Sequence, residues 1–303
     1  MPNRLKGLVA ATPTPLHPDG SLNLAAVPPL VELLLRSGVE GLFVCGTSGE
    51  SASLTTAERQ EVAAAFIAAA KVRVPVIVQV GHASLRESQA LAAHAQEARA
   101  SAIAATPPYY FKPTSPAAVV DGLAEISSAA PNLPLYYYHI PSFTGVTVPL
   151  IAILREAVRR LPALAGAKFT FENLMDYAQC IAFEDGRYDV LFGRDEMLLS
   201  ALVVGAHGAV GTTYNFQAPV FRRLWKAYDA GDLEAARHEQ LRAIRVIEIL
   251  QGYGVLPALK CMVRFLGVDC GPNRKPVATL TPQQEVALKE ELRAAGYFEW
   301  GVQ

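Results

Sequence analysis

Short apolar runs alternate with longer amphipathic segments eight times along the chain, and this alternation constrains the fold more than any other feature. The apolar runs cover residues 7–12, 41–47, 75–81, 102–106, 133–140, 164–170, 189–193 and 208–214. Because these runs are continuously apolar, they are typical of strands buried on both faces of a parallel sheet.

Helix-period segments separate the runs, at residues 24–37, 116–129, 149–160, 172–183, 196–204 and 218–230. Two Ala-rich helices begin at sequences that predict capping boxes, Thr55 with Glu58 and Ser84 with Glu87. Eight strand–helix alternations fit a closed (β/α)8 TIM barrel better than an open doubly wound sheet. Repeat counting does not decide closure, so the open sheet stays an alternative.

After residue 230 the alternation ends. Residues 232–251, 255–266 and 281–295 have helical patterns with no strand between them. We therefore predict an α/β barrel domain at residues 1–230 that carries the active site, followed by a C-terminal helical region at residues 231–303.

Composition excludes several classes of function. The 303 residues carry a formal net charge of -1, which gives no electrostatic attraction for nucleic acid or an anionic membrane. No apolar run reaches the roughly 18 residues of a membrane span, and Pro13 and Pro15 interrupt the N-terminal apolar stretch too early for a signal peptide. The four cysteines form no C-x-x-C pair and no His cluster has zinc spacing, so we expect buried, reduced thiols, a cytoplasmic location and no metal.

Polar residues collect where the predicted strands end, which in a TIM barrel is the catalytic face. Following the strands in order, these residues are Thr47 and Ser48, Tyr110, Tyr138, Lys168 and Thr170, then Gly193, Asp195 and Glu196, and finally Thr212.

Lys168 is the strongest single indication of chemistry, because it lies in the apolar strand sequence Ala165-Gly166-Ala167-Lys168-Phe169. Burying an ammonium is costly and favours the neutral amine, the form that attacks a carbonyl. The alternatives are a lysine that snorkels at a strand end or one paired with a carboxylate.

Three other groups allow two interpretations each. The turn Gly46-Thr47-Ser48-Gly49 suits a carboxylate or a phosphate, but it is also ordinary turn chemistry. Tyr136 and Tyr138 share one strand face, where they either pack in the core or exchange protons near Lys168. Asp195 and Glu196 could face a ligand or begin the next helix as an N-cap and a first-turn acid, and the two roles are compatible.

Taken together, these residues make the chain resemble the pyruvate-dependent class I aldolase family of N-acetylneuraminate lyases and dihydrodipicolinate synthases. The matching motifs are Gly46-Thr47-Ser48-Gly49-Glu50, Tyr138 followed by Ile140-Pro141 and Thr144-Gly145, and Lys168. The resemblance covers essentially the whole chain. Residues 136–141, 192–196 and 208–215 are most similar to the sialic-acid-cleaving members, and Phe143 stands where the synthases carry an arginine.

The resemblance implies reversible cleavage of N-acetylneuraminate to pyruvate and N-acetylmannosamine, without a metal or organic cofactor. By the same resemblance, Lys168 forms the Schiff base, Tyr138 exchanges the proton, and Thr47 and Ser48 hold the carboxylate. The sugar hydroxyls would meet Thr170, Gly193, Asp195, Glu196 and Thr212. Residue 212 is Thr where the lyases commonly have Ser, and residue 48 is Ser where many members have Thr.

The resemblance further implies a homotetramer built from tight dimers, in which Tyr110 reaches the neighbour's active site. Two alternatives remain at this stage. One is an aldolase or dehydratase of the same family that acts on another 2-keto-3-deoxy sugar acid. The other is a barrel that binds a metabolite without catalysis, against which the intact Lys168, Tyr138, Thr47 and Ser48 argue.

Overall fold

The computed structural model describes residues 4–302 and contains one closed barrel of eight parallel strands. The strands are β1 (Gly7–Ala11), β2 (Gly41–Val44), β3 (Val76–Gln79), β4 (Ala102–Ala105), β5 (Leu135–His139), β6 (Leu164–Phe169), β7 (Asp189–Phe192) and β8 (Gly208–Gly211). Each strand pairs in parallel with the next, and β8 pairs with β1. The (β/α)8 prediction is thereby confirmed, and the open-sheet alternative is wrong.

Helices follow the strands and then continue beyond the barrel. In chain order they are α1 (Val27–Arg36), α2 (Thr56–Ala70), α3 (Leu85–Glu97), α4 (Pro116–Ser128), α5 (Pro141–Thr144), α6 (Leu150–Arg160), α7 (Leu174–Ala182), α8 (Leu198–Val203) and α9 (Tyr214–Asp229), then α10 (Leu233–Tyr253), α11 (Val255–Phe265), α12 (Pro282–Ala294) and α13 (Tyr297–Trp300). Short 3-10 turns lie at Leu24–Ala26, Ser51–Ser53 and Asp195–Met197.

The two predicted capping boxes differ in outcome. At α2 the box is complete, because Glu58 N donates to Thr55 Oγ1 at 3.2 Å and Thr55 N donates to Glu58 Oε2 at 2.8 Å. At α3 only the Ser84 half forms. The Glu87 carboxylate instead accepts a hydrogen bond from Thr56 Oγ1 at 2.5 Å, so the prediction of a reciprocal box there is wrong.

Two layers of apolar packing hold the barrel. Alternate strand residues such as Val9, Phe43 and Leu191 fill its interior, while their neighbours pack outward against the helices. Tyr136 and Tyr138 both point inward and Tyr137 points outward, which confirms that the first two share a face. The four cysteines are buried and unpaired, as predicted.

The C-terminal helices α10 to α13 follow the barrel, and no further strand occurs up to residue 302, as the sequence predicted. The division into domains at residue 230 stays a prediction, and the outer ends of those domains, residues 1–3 and 303, lie outside the described residues. Within residues 4–302 no single helix is long and apolar enough to cross a membrane, although α10 and α11, which meet at a 117° bend, pass that test as a pair by length and composition alone.

Candidate active site

Lys168 lies inside the barrel near the carboxyl end of β6, with 5% of its surface exposed. Its Nζ donates a hydrogen bond to the Tyr138 hydroxyl at 3.1 Å, across the register pair that joins β5 to β6. Nζ also lies 4.3 Å from the ring centre of Phe43. In the part of the chain that the structure describes, no carboxylate forms an ion pair with Lys168. The paired and snorkelling alternatives are therefore wrong for this lysine.

Tyr138 connects Lys168 to the loop after β2. Its ring is buried and packs edge-on against Phe43, with 5.3 Å between the ring centres. Its hydroxyl lies 3.3 Å from Thr47 Oγ1. A hydrogen-bonded path consequently runs from Thr47 through the Tyr138 phenol to the Lys168 amine.

The loop after β2 presents backbone N–H donors that are not used within the loop. The N–H groups of Gly49, Glu50 and Ser51 donate within the loop, to the carbonyls of Gly46 and Thr47. Among the described residues, no acceptor takes the N–H groups of Thr47 or Ser48. Together with two side-chain hydroxyls, these groups form a donor cluster of the kind that binds a carboxylate.

Ser48 also links this loop to the end of β8. Its buried Oγ lies 2.7 Å from Thr212 Oγ1. Residues that the sequence placed in the carboxylate pocket and in the sugar pocket are therefore in direct contact.

Thr170 and Gly193 lie side by side at the ends of β6 and β7. A Cβ added to Gly193 would stand 2.1 Å from Thr170 Oγ1, so no larger residue fits there without displacing the threonine. Thr170 Oγ1 is buried and has no hydrogen-bond partner within residues 4–302. A buried hydroxyl without a partner is costly unless a ligand or water satisfies it.

Asp195 is 6% exposed and is held by the β8 loop. Its Oδ2 accepts hydrogen bonds from Thr213 N at 2.8 Å and from Thr213 Oγ1 at 2.7 Å. Burial raises the pKa of Asp195 to about 6, although these two bonds act in the opposite direction. Among the described residues, neither the 3-10 turn Asp195–Met197 nor α8 has a side-chain cap, so the N-cap interpretation of Asp195 is wrong. Asp195 and Glu196 do lie in the first turn, which confirms the other half of that interpretation.

Glu196 is half-buried, and Arg194 lies beside it. Arg194 Nε is 3.3 Å from Glu196 Oε1, and the same guanidinium forms an ion pair with Glu172 at the end of β6. The sequence analysis assigned no role to Arg194 or Thr213. The only indication of a role was that these residues lie in the motifs at residues 192–196 and 208–215. A motif at a strand end does not reveal which residue a side chain will contact.

Tyr110 does not join this cluster in the single chain. Its side chain is 78% exposed and packs edge-on against Phe111, at 5.0 Å between ring centres. Within residues 4–302 no hydrogen bond links it to Tyr138 or Lys168.

A cavity of about 240 Å³ opens beside Thr47, on the side of the mouth formed by the loops after β2 to β5. It is lined by Gln79, His82, Thr106, Tyr109 and Phe143, among others. Of residues 4–302, no three His, Cys, Asp or Glu side chains converge as metal ligands.

Comparisons with known proteins agree with this geometry. The model of the dihydrodipicolinate synthetase family matches residues 4–295. The chain is 41% identical to N-acetylneuraminate lyase A of Xenopus laevis over 278 residues, covering 90% of this chain and 91% of that one. It is 38% identical to the N-acetylneuraminate lyase of Rattus norvegicus over 302 residues, covering 98% and 94%. The solved structure of Proteus mirabilis N-acetylneuraminate lyase superimposes with a TM-score of 0.95 at 32% identity, covering 97% of this chain and 100% of that one. The chain therefore belongs to the dihydrodipicolinate synthetase family.

Proposed function

We propose that the protein is a class I aldolase that reversibly cleaves N-acetylneuraminate to pyruvate and N-acetylmannosamine. One observation carries the proposal. The Lys168 amine lies inside the barrel mouth, where it donates a hydrogen bond to the Tyr138 hydroxyl at 3.1 Å and forms no ion pair with a carboxylate of residues 4–302. The relatives named as N-acetylneuraminate lyases support the choice of substrate.

The reaction begins with binding of the 2-oxo acid. The free N–H groups and the hydroxyls of Thr47 and Ser48 receive the carboxylate, which brings the ketone carbon to Lys168. The neutral amine adds to this carbon to give a carbinolamine. The Tyr138 phenol donates its proton to the departing hydroxyl, which leaves as water, and a protonated imine forms beside the Tyr138 phenolate. No metal or organic cofactor is part of this proposal.

Cleavage follows because the imine accepts an electron pair. The C3–C4 bond breaks, its electrons move into the imine to give an enamine, and the C4 hydroxyl becomes the aldehyde carbonyl of N-acetylmannosamine. The Tyr138 oxygen accepts the C4 hydroxyl proton. Protonation of the enamine at C3 and hydrolysis of the imine release pyruvate and restore Lys168, and the reverse sequence makes the bond.

The aldehyde half of the substrate faces the ends of β6, β7 and β8. Thr170 offers a buried hydroxyl without a partner, and Glu196 offers a half-buried carboxylate. Both suit the hydroxyls of a polyol chain. Gly193 leaves room for the Thr170 side chain, and Asp195 and Thr212 line the same side of the pocket.

The proposal is tested by two assays on the purified protein. Incubation with pyruvate and borohydride should add a reduced pyruvyl group to Lys168, detected by peptide mass. A coupled assay should then show pyruvate release from N-acetylneuraminate faster than from 2-keto-3-deoxygluconate. Labelling at another lysine contradicts the mechanism, whereas a preference for 2-keto-3-deoxygluconate preserves the chemistry and changes the substrate.

For assembly, we propose a homotetramer made of two tight dimers. The exposed aromatic cluster after β4, Tyr109, Tyr110 and Phe111, supports this, because aromatic side chains exposed together are typical of an interface. Sedimentation should give a tetramer, and Tyr110→Phe should lower turnover. A monomer at working concentration would contradict the arrangement. We also propose a cytoplasmic location, which the four unpaired thiols support.

A further inference from the structure

Glu50, the last residue of the Gly46–Glu50 motif, points away from Lys168 and into the C-terminal region. Its carboxylate forms an ion pair with Lys260 of α11 at 2.8 Å, and the side chains of Lys260 and Glu50 are only 3% and 1% exposed. Asn273 Nδ2 donates to Glu50 Oε1 at 3.1 Å, and the Arg274 backbone N donates to Oε2 at 2.8 Å. Both carboxylate oxygens are therefore satisfied by residues that lie more than 200 positions later in the sequence.

The partners of Glu50 are themselves anchored. Lys260 donates a second hydrogen bond to the Pro272 carbonyl at 2.7 Å. The Arg274 guanidinium forms two hydrogen bonds with the Glu58 carboxylate, at 2.7 and 2.8 Å, near the start of α2. The segment after α11 is thus connected to the barrel at the end of the β2 loop and at the start of α2.

The β2 loop has a backbone that needs such support. Cys45 and Glu50, the residues that bracket Gly46 to Gly49, both adopt left-handed conformations, with φ of 57° and 55°. Residues other than glycine rarely adopt this conformation, and it persists where the surroundings over-determine it. The contacts of Glu50 with the C-terminal region supply this constraint at one end of the loop.

Thr47 and Ser48 lie inside the bracketed segment. Their two N–H groups can bind one carboxylate together only if the turn keeps its shape, because donors displaced by even an ångström bind a fixed anion less well. A buried ion pair is weak evidence for stability, because desolvation offsets its attraction. The ion pair between Glu50 and Lys260 is therefore not explained by stability alone.

From this arrangement we infer that Glu50 and Lys260 are positioning residues through which the C-terminal helical region sets the shape of the carboxylate-binding loop. Neither side chain contacts the substrate in this inference, which rests on the proposed binding of a 2-oxo acid at Thr47 and Ser48. Loss of the ion pair between Glu50 and Lys260 should therefore weaken the binding of the oxo acid and leave the reactivity of Lys168 intact.

The test measures borohydride trapping of pyruvate on Lys168 as a function of pyruvate concentration. Glu50→Gln should raise the half-saturating concentration by about 10- to 100-fold. The trapping rate at saturating pyruvate should stay within about twofold of wild type, since Lys168 and Tyr138 are untouched. Glu285→Gln is the matched control, because it removes an ion pair with Arg264 in the same region without touching the β2 loop.

A second variant guards against misfolding. Glu50→Gln leaves Lys260 as a buried, unpaired cation, whereas the double variant Glu50→Gln with Lys260→Met removes both charges. Circular dichroism and thermal unfolding establish that each variant is folded, and the double variant should show the same shift in half-saturation.

The outcomes separate this inference from the proposed function. If wild-type protein does not trap pyruvate on Lys168, the proposed function fails and the inference fails with it. If wild type is trapped and a folded variant keeps the wild-type half-saturation, only the inference is overturned. A lower saturating rate at unchanged half-saturation also overturns it, and so does failure of both variants to fold, which would make Glu50 a residue for folding alone.

Discussion

Replacing Tyr138 by Phe removes one oxygen atom, the one that lies 3.1 Å from Lys168 Nζ and 3.3 Å from Thr47 Oγ1. The phenylalanine ring keeps the edge-on contact with Phe43, so the change in packing is small. If this hydroxyl exchanges the C4 proton, its loss should lower kcat by roughly 10²- to 10⁴-fold. That factor corresponds to about 3–5 kcal/mol of activation free energy.

Stability should respond much less than the rate. The Tyr138 hydroxyl contributes hydrogen bonds whose net effect on the free energy of unfolding is about 1 kcal/mol. A loss of a few kcal/mol in the barrier with about 1 kcal/mol in stability therefore separates a chemical role from a structural one.

Tyr136→Phe provides the matched control on the same strand and the same face. The Tyr136 hydroxyl donates to Asp189 Oδ2 at 2.8 Å, away from the lysine. Its removal eliminates a buried hydrogen bond to a carboxylate, so we expect the free energy of unfolding to fall by roughly 1–3 kcal/mol and kcat to stay near normal. The two variants should thus show opposite patterns.

Both proteins are compared by pyruvate release from N-acetylneuraminate and by urea unfolding. Near-normal turnover in Tyr138→Phe would remove this residue from the proton path. An equal loss of turnover in Tyr136→Phe would show that the rates follow general disturbance of the barrel, and the reasoning would be refuted.

Three further predictions concern single side chains. Lys168→Arg should abolish pyruvate labelling and turnover in mass spectrometry and the coupled assay, because guanidinium stays protonated, and any residual imine would contradict the assignment. Glu196→Ala should raise KM for N-acetylneuraminate while pyruvate labelling keeps its wild-type concentration dependence; a shift in both would place Glu196 elsewhere. His139 is buried and has no hydrogen-bond partner among the described residues, and burial lowers its pKa from 6.5 to about 4. Roughly 3 kcal/mol of stability present above pH 6.5 should therefore be lost as the pH falls to 4, and unfolding curves of His139→Phe should lack this part of the pH dependence.

The barrel was predictable because its signal is local and repeated. Each buried strand is a continuous apolar run, and eight such runs in sequence leave few architectures. The ends of the strands were less predictable, because apolar and hydroxyl residues continue in the sequence past the last hydrogen bond between neighbouring strands. The run at residues 208–214 illustrates this, since β8 ends at Gly211 and α9 begins at Tyr214.

The polar contacts of the site were not predictable from the sequence. Position in a motif placed Lys168 and Tyr138 on adjacent strands, because consecutive strands are neighbours in a (β/α)8 barrel. It did not reveal that Asp195 bonds to Thr213 or that Glu50 reaches Lys260, since a carboxylate's partner depends on the packing of distant segments.

Asp195 shows how this hidden connectivity changes an expectation. The sequence placed it among the readers of sugar hydroxyls, yet its Oδ2 holds Thr213, and the adjacent Thr212 contacts Ser48 at 2.7 Å. Asp195→Ala should therefore abolish cleavage of N-acetylneuraminate and also raise the pyruvate concentration needed for half-maximal labelling, because the β8 loop is released. Asp195→Asn keeps an oxygen that can accept both Thr213 bonds, so its labelling curve should stay close to wild type. Identical labelling curves for wild type, Asp195→Ala and Asp195→Asn would show that Asp195 acts on the sugar alone and that the contact between Thr212 and Ser48 does not shape the carboxylate pocket.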